Sequence, residues 1–258
     1  MRSIHPSFLA LLACSLVAIA PLHADARVHI KDAPEHLLWA ELLVETTPAA
    51  HNDYGEPSTV RWKGDNGKKT SSNNTKCGSL VSQLLQRAYE PDLQSWFGCN
   101  SPNAKTYHDR IADEDGFDLI GSIADVQPGD VVAIEYLDMG CKNHTCGTVE
   151  GCVSSGHTAI VAARPILRTA TAPLVADTLQ YSLEIIDSSS SFHGTDDTRY
   201  QSEADHSNDR GVGRGTMRLY VDAKEPGRPV IGYSWSLDAD SAFKTADTRH
   251  LVIGRYAQ

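Results

Sequence analysis

Apolar residues recur along this chain with two different spacings, and the change from one to the other divides it. From Pro34 to Val44, the pairs Leu38/Leu42 and Trp39/Leu43 lie four residues apart. That is the spacing of one helical face, and Pro34 suits a first turn. A second helical stripe runs through Cys77, Leu80, Val81, Leu84, Leu85 and Ala88, is stopped by Pro91, and has Thr75 placed as a cap. Between the two, residues 47–76 are polar and carry Gly55, Pro57, Gly64 and Gly67, which reads as loop around a strand-like Thr59-Val60-Arg61-Trp62. Residues 100–125 are mixed, with two short helical turns expected around Tyr107-His108-Asp109-Arg110-Ile111. After the turn Val126-Gln127-Pro128-Gly129-Asp130, the apolar runs become short and rich in Val and Ile. They predict strands at Val131–Tyr136, His157–Ala163, Tyr181–Asp187, Thr216–Val221, Val230–Trp235 and Leu251–Tyr256. Helices first and strands later predict an α+β fold, with the Cys77 helix packed on a mostly antiparallel sheet of about six strands.

The first 26 residues carry a different pattern. Arg2 and His5 open them, Phe8 to Ala20 is almost wholly apolar, and Ala24-Asp25-Ala26 has the small-x-small form of a cleavage site. A signal peptide is expected over 1–26, a single domain over 27–258, and a periplasmic or secreted location. Cys14 lies inside the apolar core of that segment and not after it, which disfavours lipidation there. No segment has the length of a transmembrane helix. The net charge of −10 argues against a nucleic-acid partner and against an anionic membrane surface.

The chain has six cysteines, and loss of Cys14 with the signal leaves Cys77, Cys99, Cys141, Cys146 and Cys152. An odd number in an exported protein implies one unpaired thiol or an intermolecular bridge. Four of the five sit in loop-like surroundings, three of them in a Cys-rich insertion at about 138–155, and Cys77 alone lies on an apolar stripe. Two disulfides among the four, with Cys77 free, are therefore expected. Cys141-Lys142-Asn143-His144-Thr145-Cys146 with Cys152 also has zinc-knuckle spacing. An oxidising compartment favours disulfides, so neither metal nor cofactor is expected. Asn73-Asn74-Thr75 and Asn143-His144-Thr145 fit a glycosylation pattern that matters only in a eukaryotic secretory route.

Cys77 heads its helix, where the positive end of the helix dipole favours a thiolate. His157 opens one predicted strand and Asp187 closes another, so they are placed to act as base and orienter. Arg214, within Gly211-Val212-Gly213-Arg214-Gly215, is a candidate for a substrate carboxylate, and that glycine run reads as a tight turn and not as a dinucleotide fingerprint. Asp196, Asp197, Asp205 and Asp209 lack the spacing of a calcium loop and read as a solvated acidic loop. His193, before Gly194, reads first as a turn residue and second as an alternative to Asp187.

Taken in order, Cys77-Gly78-Ser79-Leu80-Val81, Pro128-Gly129-Asp130-Val131-Val132, Gly156-His157-Thr158-Ala159-Ile160-Val161 and Ile185-Ile186-Asp187-Ser188-Ser189 resemble the NlpC/P60 superfamily of papain-like bacterial cell-wall peptidases and amidases. The resemblance spans about residues 50–190. It implies a papain-like NlpC/P60 fold, with Cys77 as nucleophile, His157 as general base and acid, and Asp187 orienting the imidazole. Trp62 would line the cleft, and Gly78 and Ser79 would let a substrate or another backbone come close. Many members carry Asp-Cys-Ser where this chain has Lys76-Cys77-Gly78, so Lys76 would either acidify the thiol or point to solvent, and stem-peptide specificity is open. A long insertion, Arg164 to Leu179, would wall the cleft. The implied function is cleavage of an amide bond in peptidoglycan stem peptides or related peptides. A papain-like acyltransferase or lipid-directed amidase, and a catalytically idle wall-binding module, are the alternatives.

Overall fold

A computed structural model describes residues 33–139, 154–205, 209–225 and 230–257. The expected signal segment and most of the Cys-rich insertion lie outside the described residues. The chain opens with α1 (Glu35–Thr46), followed by β1 (Asn52–Asp53), β2 (Thr59–Arg61) and β3 (Ser72–Asn74), which form a small separate sheet. Three helices come next, α2 (Cys77–Tyr89), α3 (Leu93–Phe97) and α4 (Ala104–Ala112). The strands that follow are β4 (Phe117–Leu119), β5 (Val131–Tyr136), β6 (Gly156–Val161), β7 (Ile166–Arg168), β8 (Thr178–Ser189), β9 (Gly211–Asp222), β10 (Val230–Ser234), β11 (Lys244–Thr245) and β12 (Arg249–Tyr256).

All nine join one antiparallel sheet in the order β11-β10-β9-β8-β6-β5-β12-β4, with β7 paired to β8 beside β6. This corrects the expected papain-like arrangement of one nucleophile helix on about six strands. The six predicted strands are present, several of them longer than predicted, and β4, β7 and β11 extend the sheet to nine.

The two faces of the sheet are buried in different ways. One face meets the helices: Leu80, Val81, Leu84 and Leu85 of α2 pack with Leu37, Ala40 and Leu43 of α1 and with Ile160, Ile186 and Val131 of the sheet. The other buries Val132, Ile134, Ala159, Val161, Leu183, Ile185, Met217, Leu219, Val221, Tyr233, Leu251 and Ile253, which come from six strands. Among the described residues no α-helix contributes to that cluster, only Ile123 and Val126 of the short turn before β5, so the strands largely cover one another, and the sheet curls until β10 and β12 touch. Backbone bonds from Ala246 to Ile231 and from Leu137 to Thr248 extend the β10–β11 and β5–β12 ladders towards this closure.

α2 spans the residues its periodicity predicts, with two differences at its start. Lys76, not Thr75, holds the N-cap position, and no side chain caps it. Thr75 instead donates to Asn73 Oδ1 at 2.8 Å. The helix ends at Glu90, whose φ is 51°, just before Pro91. On α1 the buried residues are His36, Leu37, Ala40 and Leu43, while Leu38 is exposed, so the face is rotated from the expected Leu38/Leu42 stripe. Residues 104–112 form one helix, not two short turns. Asn73 is buried in β3 and its amide donates to the Asp53 carbonyl, so it is no accessible acceptor for a glycan.

Two glycines fix how the site strands begin. In the Pro128-Gly129-Asp130 turn, Gly129 has φ 93° and its carbonyl accepts from His36 Nε2 at 2.6 Å, which ties the turn to α1. Asp130 is buried and held by Arg255. Gly156 has φ 147°, and a Cβ there would stand 1.8 Å from the Ile134 carbonyl oxygen. Gly156→Ala is therefore expected to cost at least about 2 kcal/mol, because both the dihedral and the contact are backbone-fixed. A thermal melt checks this, and an unchanged midpoint would contradict it.

Candidate active site

The start of α2, the first residues of β6 and the far end of β8 converge at one point. Cys77 is a free thiol, 7% exposed, at a pocket of about 170 Å³. Its sulfur is hydrogen-bonded to His157 and receives the backbone N–H groups of Thr158 and Gly78. His157 Nε2 lies 2.6 Å from Asp187 Oδ2, which leaves Nδ1 for the thiol. The ring of Trp235 meets His157 edge-on, 5.0 Å between centroids.

Burial alone would raise the Cys77 thiol, but the charge and hydrogen bond of His157, with the two N–H groups, outweigh it and lower the pKa. His157 is likewise opposed by burial, then raised to about 10 by the Cys77 thiolate and the Asp187 hydrogen bond. The two shifts, thiol down and imidazole up, favour a thiolate–imidazolium pair. The pair carries one proton, as do a neutral thiol and a neutral imidazole in an unfolded chain between their ordinary values of 6.5 and 9.0. Its contribution to stability should be flat across that window. Below about pH 6.5 the unfolded histidine takes up a proton that the folded pair does not, and the contribution falls. Above about pH 9 the unfolded thiol loses its proton before folded His157 does, and it falls again as pH passes through about 10. The difference in unfolding free energy between wild type and Cys77→Ala, measured against pH, should show this plateau. A monotonic trend would contradict it.

Asp187 is more than an orienter. It is fully buried, and Oδ2 also accepts from His193 Nε2 at 2.7 Å, while Oδ1 accepts from Arg199 Nη2 at 2.8 Å. Arg199 is buried too; it donates to both oxygens of Asp197 and to the Gly211 carbonyl. Burial opposes ionisation of Asp187, yet Arg199 and His193, with the hydrogen bonds of both histidines, hold it well below the usual carboxylate range. His193 and Asp187 are therefore not rivals for one role: the carboxylate bridges both imidazoles, and His193 stacks on Trp235 at 5.2 Å.

The glycine run 211–215 explains how this layer fits. It is the first part of β9, not a tight turn, and Gly213 pairs with Asp187. A Cβ on Gly213 would stand 2.5 Å from Arg199 Nε, and one on Gly215 would stand 2.6 Å from Asp197 Oδ2. The missing side chains leave the space that Arg199 and Asp197 occupy. Asp197 is correspondingly 3% exposed and bound to Arg199, which corrects its reading as part of a solvated loop.

The other expected site residues divide. Lys76, Gly78 and Ser79 line the pocket with Tyr54, Glu56, Ser101, Pro102, Asn103 and Ser154 to Gly156. The smallness of Gly78 serves packing: its Cβ would lie 2.6 Å from the Pro102 carbonyl oxygen. Trp62 is not in the cleft; it is buried against Trp39 at 5.2 Å, with Arg87 above both rings. Arg214 forms ion pairs with Glu41 and Glu184 on the helix side, away from the pocket. The insertion from Arg164 does not wall the cleft either, because its strand β7 pairs with Gln180 to Ser182, at the opposite end of β8 from Asp187.

Tyr54 is the residue that the sequence reading missed. It lies in the polar run before α2, lines the pocket, and its hydroxyl is hydrogen-bonded to Cys77. Burial, then the nearby Cys77 and Asp187 charges, raise its pKa, so it remains a donor. A tyrosine in a run otherwise polar was the available signal. Cys99 is disulfide-bonded, in keeping with Cys77 as the free thiol; its partner and the other expected pairing fall outside the described residues.

Ligand-type atoms of His157, Asp187 and His193 lie within 4.8 Å of one another, as do those of His108, Asp109 and Glu135. In the first group Arg199 already brings a cation to Asp187, and in the second Lys105 lies 2.5 Å from Asp109 and 3.4 Å from Glu135. Both are thus neutralised by the chain's own side chains. No helix of the described residues is long and apolar enough to cross a membrane.

No family model matches the chain, and no solved structure matches it. It is 29% identical over 233 residues to an uncharacterized protein of Acanthamoeba polyphaga mimivirus, an alignment covering 86% of this chain and 96% of the viral protein.

Proposed function

We propose that the protein is a cysteine hydrolase that cleaves an amide bond with Cys77 as nucleophile, His157 as general base and acid, and Asp187 as orienter. One observation carries the reading: a free thiol at the floor of a pocket, hydrogen-bonded to a histidine whose other nitrogen is held by a buried carboxylate. In this scheme the thiolate attacks the amide carbon, and the oxyanion is met by first-turn N–H groups of α2, which no side chain caps, together with the Tyr54 hydroxyl. His157 gives its proton to the leaving amine, and an acyl-enzyme remains. Water then attacks, His157 accepts its proton, and the thiolate is regenerated with a carboxylic acid product.

The order of these residues along the chain, which resembles that of the NlpC/P60 superfamily, supports a peptide of the peptidoglycan stem or a related peptide as substrate. An exported protein, periplasmic or secreted, fits such a substrate. The reading rests on the site and makes no use of a papain-like fold. Incubation of the purified protein with cell-wall fragments, followed by mass spectrometry, tests it: a new amine and carboxylate terminus is expected, absent with Cys77→Ala. Intact fragments, or products that persist with Cys77→Ala, would overturn the assignment. Tyr54→Phe should keep the thiolate but lower turnover by about tenfold or more, since one oxyanion donor is lost. Equal turnover would remove Tyr54 from the scheme.

A further inference from the structure

Among the described residues, the three most exposed large aliphatic side chains lie within nine positions of one another: Ile166 at 65%, Leu167 at 57% and Leu174 at 72%. All belong to the excursion between β6 and β8. Scattered exposed leucines are ordinary, but a cluster of this kind at one projection marks a contact surface. The projection is firmly held. Gln180 is buried and its amide bonds both the N–H and the carbonyl of Thr171, while Tyr220 Oη donates to the Pro173 carbonyl and Arg218 to that of Ala172. The aliphatic groups are thus displayed on a pinned platform.

The charge pattern says what would cover them. From Arg164 to Ala176 the only charged residues are Arg164 and Arg168, in a chain whose net charge is −10. Arg164 is exposed, whereas Arg168 is half-buried, with its Nη1 turned inward and unpaired. Arg218, then Asp196, lie within electrostatic reach of Arg168, and Asp177 at the base pairs with Lys224. Ile166 and Leu167 are consecutive on a strand and so point to opposite faces, yet both are exposed. An apolar edge exposed on both faces and flanked by cations suits insertion between lipid headgroups. It suits a second copy poorly, because β7 is only three residues long and a copy would bring like charges together.

We propose that the β7 excursion docks the protein on an anionic lipid surface, with Ile166, Leu167 and Leu174 entering the acyl boundary, and with Arg164 and the exposed side of Arg168 meeting lipid phosphates. The net charge repels such a surface from most of the chain, so docking is confined to this projection and weakens with salt. β7 lies at the end of β8 remote from Asp187, which leaves the Cys77 pocket open to solvent or to the bilayer plane. The inference does not depend on the proposed hydrolysis.

Vesicle flotation with the full purified chain tests it, using phosphatidylcholine alone and phosphatidylcholine mixed with phosphatidylglycerol. Wild type is expected to float with the mixed vesicles and less with phosphatidylcholine. The triple change Ile166→Ser, Leu167→Ser, Leu174→Ser should lower binding about tenfold or more at an unchanged melting midpoint. Arg164→Ser with Arg168→Ser should remove the preference for the anionic vesicles. If the triple variant does not fold, Leu174→Ser alone, on a loop, should still weaken flotation several-fold. Wild type that floats with neither vesicle, or folded variants that float equally well, would overturn the proposal. So would a dimer in sedimentation that the triple change abolishes while vesicles bind nothing, since the surface would then serve self-association.

Discussion

Cys77→Ala and His157→Ala should each abolish amide hydrolysis. The first removes the atom that carries the acyl group, and among the described residues Cys77 is the free cysteine. The second removes both the proton carrier and the partner that lowers the thiol pKa against its burial. The loss should be at least about a thousandfold in turnover for each, and the double variant should lose no more than either single one, because the two groups act as a unit. Product formation from a responsive wall peptide, followed by mass spectrometry, measures it. A His157→Ala enzyme of wild-type activity beside a dead Cys77→Ala would move the base elsewhere. His193 would be the first candidate, since it shares the Asp187 oxygen.

Asp187→Asn is expected to damage stability as well as activity, which an orienting residue at an open cleft would not do. The carboxylate is fully buried and bonded by His157, His193 and Arg199. An amide there loses the charge that offsets Arg199, and its NH₂ group faces imidazole N–H donors that need acceptors. Breaking a buried pair by removing one partner costs about 3–5 kcal/mol, and the variant should show a loss of that order by denaturant unfolding. Residual turnover should survive in the folded fraction, because Asn can still position the ring while favouring the wrong tautomer. An Asp187→Asn protein of native stability would show that the Arg199–Asp197 pair balances itself without Asp187. Arg199→Met should be at least as destabilising, since it strands two buried carboxylates.

Much of the local structure was legible because it rests on local rules. The stripe of Leu80, Val81, Leu84 and Leu85 fixes α2, and the runs around Val131, Ile160, Ile185 and Leu219 fix four strands. β4, β7 and β11 are two or three residues long, too short for a period of two to register, so the sheet is wider than its sequence suggests. The curl of the sheet was not legible either. It follows from a second apolar face to which no α-helix contributes among the described residues, and alternating burial looks the same in a flat sheet and a rolled one.

Within the candidate site, Cys77, His157 and Asp187 could be found because each marks the end of a helix or strand, and element ends are where clefts open. Arg199 and Asp197 lie in a run of polar residues whose composition is that of a solvated loop. Only the gap left by Gly213 and Gly215 on the neighbouring strand reveals that they are buried. Trp62 and Arg214 misled for the converse reason: an aromatic before the nucleophile and an arginine among glycines have the right chemistry, but their partners, Trp39, Glu41 and Glu184, are set by tertiary packing.

The state of the Cys77 thiol is the central point, and its alkylation by iodoacetamide across pH measures it without any knowledge of substrate. The thiolate–imidazolium pair predicts stoichiometric modification of the native protein at pH 6, where an ordinary thiol is almost wholly protonated, and suppression of that low-pH reaction in His157→Ala. A thiol that stays inert until the protein is denatured, or that reacts only as pH approaches 9 regardless of His157, would contradict the account.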